Sequence, residues 1–184
     1  MNRISDFIRT VIAKTGVTYD LCSTEIMLPE DIARQVMAFS AKIPDEDLHN
    51  DGDNTKGREN EIHITVLFGI KKNDPEAVAR ILSGMKPFEI RLGLMTGFMD
   101  SPKYDVLKID AEAPGLYEAH WKMRDNLDCD ITHQTYNPHC TVAYMQKGRL
   151  LKYLGNDMFR GRTFMADTIL FSSKDGNKTL IKLG

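Results

Sequence analysis

Two tripeptides in this chain could do chemistry together. His63-Ile64-Thr65 and His139-Cys140-Thr141 share the pattern His-x-Thr, and valine follows each, at Val66 and Val142. In an extended strand, residues i and i+2 point to the same side. His63 then shares a face with Thr65, and His139 with Thr141. Ile64, Val66, Cys140 and Val142 turn the other way, as buried backing. An imidazole beside a hydroxyl, present twice, suits a phosphodiester. One neutral ring takes a proton from the attacking hydroxyl or water, and one protonated ring gives a proton to the leaving oxygen. The ordinary imidazole pKa of about 6.5 lets both forms coexist near neutral pH. The threonine hydroxyls, with nearby backbone N–H groups, can hold the non-bridging oxygens as charge builds. That chemistry requires no metal, and no carboxylate cluster is spaced to hold one. No cofactor is expected. A lone His-x-Thr would read as a half-exposed strand histidine; the repetition and the matching flanks give the pair its weight.

Other side chains are candidates for the substrate. Tyr136 precedes the second motif and could stack on a base, as could Tyr19 at the start of the first strand. Tyr144 follows Thr141 by three residues, so strict alternation turns it to the opposite face. It is kept as a binding candidate beside its reading as a packing residue. Arg58, just before the first motif, could clamp a phosphate or stay solvated. Lys147, Arg149, Lys152, Arg160 and Arg162 form a basic run, either a solvated face or a wall that steers an anionic substrate. His120 and Trp121 share a helical pattern with Leu116, Met123 and Leu127 and read as packing residues. Phe98 and Tyr104 flank a turn and read as hairpin residues.

The elements that must hold these residues follow from pattern. Residues 4–12 carry apolar side chains at helical spacing and predict an additional amphipathic helix over residues 1–16. A strand is expected at 21–28, a helix from Pro29 to Pro44, and a mobile surface loop at 45–60, rich in Asp, Asn, Gly and Lys. The first motif lies on a strand at 61–70. A short helix follows Asp74-Pro75, then strands at 88–98 and 104–112. A helix at 114–127 precedes the second motif strand at 139–145. Strands at 163–172 and 179–183 flank a hairpin turn at 174–177. Strand, helix and His strand thus occur twice. This is an α+β pattern of antiparallel strands, with two similar lobes facing one groove and helices on the outer faces.

The chain has 184 residues, 42% hydrophobic and 27% charged, with a net charge of −2. That suits one bilobal domain with an ordinary core over residues 1–184. The small negative charge argues against whole-surface attraction to nucleic-acid backbones but leaves room for a local site. Cys22, Cys129 and Cys140 are far apart, without zinc or redox spacing, which fits a reducing, cytoplasmic setting. No apolar run approaches a membrane span, and no obligate protein partner is evident.

The stretches around the motifs, from Gly57 to Gly69 and from Tyr136 to Tyr144, resemble the signatures of the 2H phosphoesterase superfamily, which includes RNA 2′,5′-ligases and cyclic phosphodiesterases. Glu61, His63 and Thr65 match an acid-x-His-x-Thr form. Tyr136, Pro138, His139 and Thr141 match an aromatic-x-Pro-His-x-Thr form. The strand before Pro29 and the helix Leu116-Tyr117-Glu118-Ala119-His120 also resemble family elements, so the likeness runs from about Tyr19 to Leu183. It implies a bilobal fold of two antiparallel sheets around a central groove, and metal-independent chemistry on a 2′,3′-cyclic phosphate or related phosphodiester. By that likeness His63 and His139 are the acid/base pair, and Thr65 and Thr141 bind phosphate. The lead-in Gly57-Arg58-Glu59 and the strand Asp105-Val106-Leu107-Lys108 resemble phage-type members, some of which cut cyclic oligonucleotide defence signals; the setting would then be the host cytoplasm. The expected partner is a nucleotide or oligonucleotide phosphodiester. Cleavage, sequestration of such a signal, and ligation as the reverse reaction all stay open, as does which histidine is the base.

Overall fold

The computed structural model describes residues 8–11, 18–50, 52, 57–131 and 134–184. Among the described residues, nine strands form one antiparallel sheet. They are β1 (Ile8–Val11), β2 (Cys22–Met27), β3 (His63–Ile70), β4 (Phe88–Phe98), β5 (Tyr104–Glu112), β6 (His139–Gln146), β7 (Thr163–Ala166), β8 (Thr168–Ser172) and β9 (Lys178–Lys182). Their order is β1-β9-β8-β2-β3-β6-β5-β4-β7. At the middle, β3 and β6 share a single register pair, Ile64 with Cys140. The expected two sheets are therefore two wings of one sheet, joined by that seam.

Among the described residues, three α-helices complete the α+β fold. In α1 (Glu30–Ser40) acids occupy the first turn, where they complement the helix dipole, and Ile32, Val36 and Ser40 recur every four residues on the buried side. In α2 (Pro75–Ile81) the Asp74 side chain caps the Ala77 N–H at 2.9 Å. In α3 (Pro114–Asn126) Leu116, Ala119, His120 and Met123 form the buried stripe. The repeated unit is visible: β2-α1-β3 in one wing, β5-α3-β6 in the other. Among the described residues no helix is long and apolar enough to cross a membrane.

The segments leading into the two motif strands cross the seam. Residues before β3 lie along β6: His49 N–H donates to Tyr144 O, Tyr144 N–H to Gly57 O and Glu59 N–H to Val142 O. Residues before β6 lie along β3: Asp130 N–H donates to Gly69 O and Lys71 N–H to Asp128 O. Gly57 (φ +83°) and Gly69 (φ +96°) permit this. A Cβ on either would stand 2.3 Å from His49 O or 2.2 Å from Asp130 O.

Three expectations change. Residues 8–11 form a strand, paired antiparallel to β9 from Ile8–Ile181 to Val11–Lys178, not part of a helix. The run contains three β-branched residues, and it closes the open edge that β9 would otherwise present. The rest of the expected 1–16 helix lies outside the described residues. The expected strand at 163–172 is two strands: β7 pairs with β4, and after Asp167 β8 pairs with β2, so the chain changes wing there. The 45–60 loop is tied to β6 at both of its described ends rather than lying free on the surface.

Candidate active site

Antiparallel pairing about Ile64 and Cys140 sets His63 alongside Thr141, and Thr65 alongside His139. Ile64 and Cys140 are fully buried, while the four motif side chains are half-buried on the opposite face. The arrangement is close to a two-fold: each histidine stands across the seam from the other wing's threonine. Each ring is held the same way. His63 Nδ1 lies 2.5 Å from Glu61 O, and His139 Nδ1 lies 2.7 Å from Asn137 O. A carbonyl only accepts, so each Nδ1 carries the hydrogen, and Nε2 is the atom left for substrate.

The neighbours break the symmetry. On β5, Asp110 is in register with His139 and Lys108 with Thr141. On β2, Met27 is in register with His63 and Glu25 with Thr65. A buried lysine thus sits in the second wing where a buried carboxylate, held by the Ser23 and Ser172 hydroxyls, sits in the first. The Phe98 ring meets His139 edge-on at 4.9 Å. Burial pushes the His139 pKa below the ordinary imidazole value. The carbonyl of Asn137 opposes this, Lys108 and His63 add to it, and Asp110 opposes it.

A β-bulge follows each motif. Between Lys108–Thr141 and Leu107–Ala143 the register skips Val142; between Glu25–Thr65 and Thr24–Leu67 it skips Val66. Each bulge resets the alternation, so the residue three after the threonine returns to the motif face. Tyr144 is therefore on the groove side, not the opposite one, and Phe68 is its counterpart in the first wing. The groove has a volume of about 680 Å³ and is lined by Thr65, His139, Thr141, Phe68, Tyr136 and Tyr144, among others. His63 shares the sheet face but does not line this cavity. Phe68 was missed by sequence reasoning. Its signal was present in the longer repeat, His-x-Thr-Val-x-aromatic, at His63 to Phe68 and at His139 to Tyr144. Phe98 and Tyr104, read as hairpin residues, also line the groove.

Tyr136 is both wall and brace. Its hydroxyl donates to Thr65 O at 3.0 Å, across the seam, and its ring stacks on His120 at 4.1 Å. His120 in turn lies 2.7 Å from Val66 O through Nδ1, and burial lowers its pKa. Two candidates fall elsewhere. Tyr19 is 55% exposed and its N–H donates to Lys174 O, beside the β8–β9 turn. It lies beyond the end of β2 opposite to that which meets His63, roughly 20 Å away along the strand. Arg58 donates to Ser40 O, Ile43 O and Asp45; its guanidinium ties α1 to the loop behind it. In the basic run, Lys147 is paired with Asp105, Lys152 with Asp47, and Arg162 with Asp31. Each of these three charges therefore has a carboxylate beside it, which weakens the case for a steering wall. Among the described residues no group of three or more His, Cys, Asp or Glu could hold a metal ion.

No family model matches the sequence, and no curated protein does. Solved structures share the fold at low sequence identity. TT0787 of Thermus thermophilus is similar at 16% identity and TM-score 0.62, over 89% of this chain and 97% of that one. E. coli LigT complexed with 3′-AMP gives 16% and 0.58, over 90% and 96%. Kluyveromyces marxianus Usb1 gives 12% and 0.58, over 89% and 99%. The phage-type resemblance rests on the sequence alone.

Proposed function

We propose that this protein is a metal-independent phosphodiesterase acting on 2′,3′-cyclic or 3′,5′-linked nucleotides and oligonucleotides. The observation that carries the reading is the crossed pairing at the seam, with an imidazole and the other wing's hydroxyl on either side of Ile64 and Cys140. Binding alone needs no second imidazole, whereas in-line displacement at phosphorus uses two, one for each proton. The family resemblance and the fold shared with LigT and Usb1 support it.

The asymmetry supports one division of roles in hydrolysis. His139, whose pKa is lowered by burial with a smaller contribution from Lys108, serves as the base, and its Nε2 takes the proton of the attacking water. The new oxygen–phosphorus bond forms as the bond to the leaving ribose oxygen breaks. His63 Nε2 gives its proton to that oxygen. Thr65 and Thr141 donate to the non-bridging oxygens as negative charge builds in the transition state. With a cyclic phosphate the product is a nucleoside phosphomonoester.

The test is turnover of 2′,3′-cyclic nucleotides and cyclic dinucleotides, with and without EDTA, by the wild type, His63→Ala and His139→Ala. Each substitution is expected to lower kcat by roughly 10²–10⁴-fold, with EDTA changing little. Unchanged rates in both variants, or no consumption of any of these substrates, rule the reading out. The same substrates without turnover but with tight binding indicate sequestration instead.

A further inference from the structure

Beside the groove, over β4 and β5, is a second cavity of about 530 Å³. Phe98 and Asn137 line both spaces, so they adjoin at the ring packed on His139. At its base Lys108, 6% exposed, donates to Thr96 Oγ1 at 2.7 Å and to Asp110 Oδ1, and its ammonium lies 4.6 Å from the centre of the Phe98 ring. Thr96 donates to the same Asp110 oxygen at 2.7 Å.

This ion pair largely cancels its own charge, so the cavity offers little to a second phosphate. It offers acceptors. The Asp110 side chain is 44% exposed, its bonds with Lys108 and Thr96 both fall on Oδ1, and Glu112 stands exposed at the rim. Phe98 and Tyr117 supply aromatic walls. Gly93 leaves the carboxylate accessible: a Cβ there would stand 3.1 Å from Asp110 Cβ. Acceptors between aromatic side chains fit a flat ring that carries N–H donors. The location fits as well. From β6 to β4 is two strand spacings, roughly 10 Å, so a nucleotide with its phosphate at His139 and Thr141 extends over β5.

Resting on the phosphodiesterase reading, we infer that this cavity is the base subsite for a nucleoside flanking the scissile phosphate, and that Asp110 and Glu112 select a base with two adjacent N–H donors, guanine first. Guanine presents its ring N–H and amino group side by side to carboxylate oxygens, whereas uracil presents one N–H.

The experiment is calorimetric binding of 3′-GMP, 3′-AMP, 3′-CMP and 3′-UMP to the full chain, alongside kcat/KM on the four 2′,3′-cyclic nucleotides. Guanine is expected to bind roughly tenfold or more tighter than uracil. Asp110→Asn brings that ratio close to one, and Tyr117→Ala weakens all four alike. If Asp110→Asn does not fold, the exposed Glu112→Gln takes its place and lowers the ratio. Equal affinities in the wild type, or a guanine preference unchanged by these carboxylate variants, overturn the subsite. Base-selective binding without turnover removes the hydrolytic reading and leaves the subsite standing; turnover with no base preference does the reverse.

Discussion

At the scale of single residues, Lys108 is the side chain beside Thr141 whose counterpart beside Thr65 is a carboxylate, Glu25. Its charge acts with burial to hold His139 below the ordinary imidazole pKa. A general base with a lowered pKa stays neutral to lower pH, so the acidic limb of kcat/KM should fall below about 6.5. In Lys108→Met that charge is gone and the Asp110 carboxylate remains, both of which favour the protonated ring. The acidic limb should then move to higher pH, while Lys108→Arg restores it. A limb that stays put in Lys108→Met would show that another group titrates there. The histidines and threonines were legible in the sequence because their spacing alone places them on one face. Lys108 was not: it is one charged residue on a strand, and its position beside Thr141 exists only once β5 and β6 are in register.

At the scale of elements, the sequence showed the strands of both motifs and the helices between them, since hydrophobic period and Pro and Asp signals fix those locally. It hid the bulges. Strict alternation from Thr141 turns Tyr144 into the opposite layer; one residue skipped at Val142 returns it to the groove. A bulge is a property of two paired strands, so a single strand read alone does not reveal it. Arg58 shows the same limit from another side. Its sequence neighbourhood suggested a phosphate clamp, yet two carbonyls and Asp45 engage it in the fold. Arg58→Ala should lower stability by about 1.5–3 kcal/mol, the range for hydrogen bonds to a charged group, measured by denaturant unfolding. KM should barely change. A large rise in KM with stability intact would return Arg58 to the substrate.

At the scale of the whole molecule, the second wing is one continuous stretch, β4 to β7, inserted into a first wing whose β8 and β9 come from the far side of it. The seam between them has only one register pair, so most of its cohesion comes from elsewhere. The crossing segments supply it: the lead-in to β3 is bonded along β6, and the lead-in to β6 along β3. Each wing therefore finishes the other's border. A chain cut between α2 and β4, at Gly84, would give one piece whose β2 lacks β8 and another whose β6 lacks its covering strip. Neither piece should hold native structure by itself. Mixed, they should reconstitute a one-to-one, non-covalent complex with recovered circular dichroism and with whatever turnover of the proposed substrates the intact chain shows, because the interlock is mutual and does not depend on the severed bond.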